Sequence, residues 1–146
     1  MPGTGVFPVH NNKFKIGKAG RASVAPEDMV IIKDLETFSP GIDANTEEWT
    51  PMDTEGWIRR AVTGKGLTFS FSGKRHYGDP GNDYVGELLL ATGQACESKF
   101  EWEFPSGAKL VMNCIVNLTT PGGGDSTQID TLEFEILSDG LPVFTP

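Results

Sequence analysis

The amino-acid sequence predicts a mainly β protein: two packed antiparallel sheets, as a sandwich or a flattened barrel, with one flanking α-helix. Three observations carry this. The strongest hydrophobic period is two residues, in segments 67–71, 99–104, 110–118 and 131–136. Gly, Pro, Asn and Asp punctuate the chain between these segments, and a single stretch has helical spacing.

Taken in order, residues 14–16, 36–42, 47–52 and 57–62 are short strand candidates enriched in β-branched and aromatic residues. Pro40 and Pro51 suit edge positions or bulges, because proline cannot donate to a ladder. The Asp, Asn, Thr and Pro content across 43–56 also permits a long loop there. Leu67, Phe69 and Phe71 then alternate with Thr68, Ser70 and Ser72, the pattern of a half-buried strand. Asp79 can cap a helix, Pro80 suits its first position, and Tyr84, Val85, Leu88 and Leu89 make one apolar stripe before Gly93, so a helix is expected over 80–92 against a sheet face. Phe100, Trp102 and Phe104 alternate with Lys99, Glu101 and Glu103. The turn Pro105-Ser-Gly107 leads into a run with Leu110, Met112, Cys114, Val116 and Leu118 on one face, which completes a hairpin. After the glycine loop 121–124, Leu132, Phe134 and Ile136 alternate with Thr131, Glu133 and Glu135. Asp139-Gly140 turns the chain toward a last strand over 141–144.

The 146 residues suit one domain, 1–146, with enough apolar material for its own core. A formal charge of -8 argues against a protein that grips phosphate backbones, since that affinity comes from clustered Lys and Arg. Cys96 and Cys114 stand too far apart for a metal-binding pair and are expected to be buried thiols. The N-terminus lacks the basic and apolar regions of a signal peptide, and no run of apolar residues is long enough to span a bilayer, so a cytoplasmic product without membrane insertion is expected.

Catalytic constellations are sparse. His10 and His76 stand in no triad context, and Gly64-Lys-Gly66 lacks the remaining residues of a phosphate loop. Asp79, Asn82 and Asp83 depart from calcium-loop spacing and are better explained as helix caps. Lys13, Lys15, Lys18 and Arg21 form a small basic cluster suited to a solvated face or a subunit contact. Glu101 with Glu103, and Glu133 with Glu135, share strand faces about 7 Å apart, near the carboxylate separation of inverting glycosidases. One-sided strands produce that spacing by alternation alone. No catalytic, cofactor-binding or metal-binding residue, and no cofactor, is expected.

The stretch EWTPMDTEGWIRRAVTGKGLTFSFSGKRHYGDPGND, over residues 48–83, resembles the tail tube proteins of long-tailed bacteriophages and their prophage relatives. Its most telling pieces are Gly56-Trp-Ile-Arg-Arg60, Thr63-Gly-Lys65, Gly73-Lys-Arg75 and Gly78-Asp-Pro-Gly-Asn-Asp83, and the similarity continues through KFEWEFPSGAKL, the glycine loop and LEFEILSDG. The resemblance implies a tail-tube fold, similar also to the inner tube of type VI secretion. It further implies hexameric rings that stack into a hollow tube in the virion tail, with tape measure, tail terminator and baseplate proteins as partners. Double-stranded DNA would pass through without specific binding.

On that resemblance, Glu101, Glu103, Glu133 and Glu135 are candidate lumen acids. Phe7, Asn45, Thr46, Glu47, Glu48 and Trp49 are candidate contacts between rings. The competing readings are another tail component such as a terminator, a carbohydrate-binding β-sandwich using Trp49, Trp57, Tyr77 and Tyr84 as a platform, and a small glycosidase.

Overall fold

Alternation at period two dictates strands, and the computed structural model, which describes residues 4–24 and 27–146, has eight of them. They are β1 (Lys13–Gly17), β2 (Met29–Ile31), β3 (Leu35–Trp49), β4 (Arg59–Lys74), β5 (Glu97–Glu103), β6 (Lys109–Thr120), β7 (Thr131–Ser138) and β8 (Val143–Thr145), with helix α1 (Pro80–Gly86) between β4 and β5. All pairing is antiparallel within one sheet, in the order β2-β1-β5-β6-β7-β4-β3, and β8 pairs with β6.

The expected two layers are halves of this one sheet. Phe14 of β1 and Phe38 of β3 lie far apart in strand order, yet their ring centroids are 4.5 Å apart, and Phe14 also meets Phe71 of β4 at 4.9 Å. The sheet therefore curls over on its apolar face without closing. The alternating residues read from the sequence fill the interior: Phe69, Phe71, Phe100, Met112, Cys114, Val116, Leu132, Phe134 and Ile136, with Ile16 and Val85. At roughly 2 kcal/mol for each large apolar side chain, this burial dominates the fold's stability.

Three expectations are corrected. Residues 36–42 and 47–52 form not two strands with a loop between but one strand, β3, to Trp49; 57–62 and 67–71 likewise merge into β4. The two strands pair almost residue for residue from Leu35↔Gly73 to Trp49↔Arg59, so cross-strand hydrogen bonds carry the ladder on through 43–49 and 59–65, where no side chain is buried. Pro40 lies in this edge strand as expected, whereas Pro51 lies in the turn beyond it. Next, α1 stops at Gly86 instead of reaching Thr92. Leu88 N and Ala91 N bond three residues back, to Val85 and Leu88, and these tight turns carry Leu88 into the core while Leu89 and Leu90 stay exposed. Finally, Cys114 is buried as expected but Cys96 is only half-buried. The short strand β2 was not anticipated.

Strand β7 accompanies β4 only along Thr68–Lys74, and Leu67 N donates to Ser138 Oγ (2.9 Å) where that ladder ends. Beyond this point β3 and β4 continue as a two-stranded ribbon for about 25 Å at strand rise. Every residue of 43–49 and 59–65 in it is exposed.

Candidate assembly surfaces

The ribbon holds five of the six residues expected to make ring contacts. Asn45 Nδ2 donates to Thr63 Oγ1 (2.7 Å), Arg60 Nε donates to Glu48 Oε1 (2.9 Å), and the Arg59 guanidinium lies 5.5 Å from the centre of the Trp49 ring. Thr46 pairs with Val62 and Glu47 with Ala61 across the ribbon. At its tip, a single 3-10 turn (Met52–Thr54) is followed by two left-handed residues, Glu55 and Gly56, and Thr54 Oγ1 donates to the Trp57 carbonyl (2.8 Å). Trp57 is 78% exposed, Met52 fully so, and Ile58 and Val62 about half. Such a concentration of apolar surface on an element without a core marks an interaction site. Phe7, the sixth residue, lies outside the ribbon and is partly exposed. It precedes β1, whose Phe14 packs on the opposite end of β3, at Phe38.

The two carboxylate pairs sit in different electrostatic settings. Glu101 is 7% exposed and faces Lys15 Nζ at 3.7 Å, its Oε2 accepting no hydrogen bond among the described residues; Glu103 faces Lys109 Nζ, also at 3.7 Å. Their charges are locally balanced. Glu133 and Glu135 lie instead on a polar strip with Ser70, Ser72, Asn117 and Thr119, in which Glu133 is exposed and Glu135 half-buried, and where Asn117 Nδ2 donates to Glu135 Oε1 (3.2 Å). Lys74, at the strip's margin, pairs with Glu36 at 3.2 Å. Neither carboxylate pair lines the cleft between β1 and β3 or the one beside Leu67 and Ser138.

The basic cluster is divided. Lys15 pairs with Glu101, and Arg21 bridges Glu97 (3.4 Å) and Asp139 (2.8 Å), whereas Lys13 and Lys18 make no ion pair among the described residues. The aromatic residues of the carbohydrate reading do not gather: Trp57 and Tyr77 flank opposite ends of β4, and Tyr84 packs against the core.

The segment Gly73–Asp83 forms a clip whose structural role the sequence alone did not reveal. Asn82 Nδ2 donates to the carbonyls of Lys33 and Lys74 (3.0 Å each), and its Oδ1 accepts from Arg75 Nη1 (3.0 Å) and His76 N (2.9 Å). Arg75 also donates to Asp83 Oδ1 (2.8 Å), a bond that holds the Asp83 carboxyl below its ordinary range, and His76 Nδ1 meets Asp34. Asp79 caps α1 as expected, accepting from Asn82 N (2.9 Å), and it also accepts from Lys33 N (3.2 Å). Two backbone approaches require glycine: a Cβ on Gly73 would lie 2.2 Å from the Asp34 carbonyl oxygen, and one on Gly81 would lie 2.4 Å from that of Ile31. The clip thus pins α1 and the end of β4 to the β2–β3 connection. The recurrence of Gly, Asp and Asn in this stretch was the signal available beforehand.

No family model matches the sequence, and no curated protein matches it. Solved structures match its fold over nearly the whole chain. The tail of an empty gene transfer agent particle, refined helically with C6 symmetry, is similar at a TM-score of 0.74 and 14% identity, over 97% of this chain and 100% of that one. The virion of a native gene transfer agent gives 0.69 at 15% identity, with the same coverage. The cap that terminates the tube of the anti-feeding prophage gives 0.65 at 14% identity, over 100% of this chain and 95% of that one. The chain therefore has the tail-tube-like fold that the sequence resemblance implied.

Proposed function

We propose that this chain is a structural subunit of a phage-type tail tube, in which rings of six copies stack around a channel that conducts double-stranded DNA. The observation that carries the proposal is the strip bearing Glu133 and Glu135. It spans the four neighbouring strands β6-β7-β4-β3, and the outer edge of β3 pairs with no strand among the described residues. An open edge beside a polar face is unstable as a lone feature but becomes a joint when neighbouring copies pair edge to edge and close a ring. With each of six copies at -8, DNA would meet a repulsive wall and slide without being held. The C6 symmetry of the similar gene transfer agent tail supports the ring number.

The exposed ribbon would carry the contacts between rings, through Asn45, Thr46, Glu47, Glu48 and Trp49, with the N-terminal segment around Phe7 as a second contact. The virion tail would be the chain's final place, and self-association its principal interaction, alongside tape measure, terminator and baseplate proteins. Electron microscopy of the concentrated protein, alone and seeded with tail initiation complexes, tests the proposal. Hollow tubes built from six-subunit rings are expected, and persistent monomers under both conditions would remove it.

A further inference from the structure

The outer edge of β3 is bonded to no strand among the described residues, and the simplest contact such an edge invites is with itself. Two β3 edges running antiparallel about a two-fold axis would form a closed dimer and consume the joint that a ring needs.

The direction of the backbone groups along this edge follows from β4. Leu67 N donates away from β3, to Ser138 Oγ (2.9 Å), whereas Lys74 N donates to the Asp34 carbonyl (2.8 Å), on the β3 side. Even-numbered residues of this part of β4 therefore bond toward β3 and odd-numbered ones away from it. Phe38, Pro40, Ile42 and Ala44 stand opposite Phe71, Phe69, Leu67 and Lys65, so their own backbone groups point to the open edge. Register shifts between Leu35 and Thr37 and between Asn45 and Thr46 bound this regular stretch. Within it, Pro40 alone lacks an outward N–H, and its exposed ring stands where the donor hydrogen would be.

We infer that Pro40 is a gatekeeper of assembly: it disfavours two-fold pairing of β3 edges between free copies and so keeps the edge available for the ring. The inference rests on the tube reading and adds a residue that selects between two contacts on one edge. Symmetry supplies the selectivity. Every two-fold register that pairs at least three of these outward positions places the proline of both copies in the ladder, where each leaves an opposing carbonyl without its donor. A head-to-tail joint brings the β3 edge of only one copy to each contact, so the same defect occurs once.

Sedimentation equilibrium of the dilute full chain tests this. Pro40→Thr restores the donor with a residue suited to strands, and a second variant, Pro40→Thr with Ile42→Pro, moves the proline to the next outward position. The native chain and the double variant should remain monomeric. Pro40→Thr should dimerise at least about tenfold more tightly, since two hydrogen bonds per dimer are regained. In those dimers, hydrogen exchange should show the Ile42 and Ala44 amides protected. A Pro40→Thr chain as monomeric as the native one, a double variant that dimerises equally well, or dimers whose Ile42 and Ala44 amides exchange as freely as in the monomer would each overturn the gatekeeper role. Absence of tubes from the seeded native chain overturns the tube reading alone, because the dimerisation of Pro40→Thr is read without tubes.

Discussion

Asn82 is fully buried, and its four side-chain hydrogen bonds join α1, β4 and the β2–β3 connection. Replacing it with Ala would leave backbone carbonyls of Lys33 and Lys74 without a partner, so Asn82→Ala is expected to lower stability by about 3 kcal/mol in denaturant unfolding of the monomer. Asp83 beside it has its carboxyl held below the ordinary 3.8, first by the hydrogen bond from Arg75. A carboxylate depressed in the folded state contributes stability above its unfolded value and loses it as pH falls through the folded one. The stability advantage of the native chain over Asp83→Asn should therefore be constant near neutral pH and shrink as the pH drops below 3.8. Acid titration of both proteins by circular dichroism checks this. The Cys114 thiol is pushed up to about 12 by burial and stays neutral and shielded, while Cys96 is half-exposed. Maleimide labelling should modify Cys96 in the native monomer and reach Cys114 only after unfolding.

Among the elements, strands with one buried face were legible and those without were not. Segments 99–104, 110–118 and 131–136 match β5, β6 and β7 to within two residues, because core burial imposes alternation that can be read directly. The outer halves of β3 and β4 bury nothing, so no hydrophobic rhythm marks them, and Asn45–Glu48 looked like a loop. Their partner strand supplies the order instead. Joining Asn45 to Gly64 through an Asn-Gly turn removes the ribbon's outer part without touching the core. The monomer's unfolding midpoint should change little, whereas microscopy should find no stacked tubes. The expected C-terminal half of α1 does not form, for a related reason: Leu89 has helical spacing but stays exposed.

For the whole molecule, the four acids proposed for the lumen separate into two kinds. Changing Glu133 and Glu135 to Lys alters a polar strip, so tubes should still form, but DNA passage from assembled particles should slow or stop. Ejection at the native rate would assign the channel to another face. Changing Glu101 to Lys instead places a cation against Lys15 in a nearly buried position and should cost about 3 kcal/mol of monomer stability, read by thermal unfolding. Charge count gave no way to separate the pairs beforehand, because the difference lies in which lysines face them across β1 and β6.

By itself, the sequence determined the β class, the identity of most core residues and the capped start of the helix. These depend on local periodicity and on side chains that act within a few positions of themselves. Only the tertiary structure decided that the two layers are one curled sheet, that β3 and β4 extend as a naked ribbon, and that a cleft opens along the seam opposite its tip. Those features depend on pairings between residues far apart in the chain, where the hydrogen-bond partner and not the side-chain pattern sets the conformation.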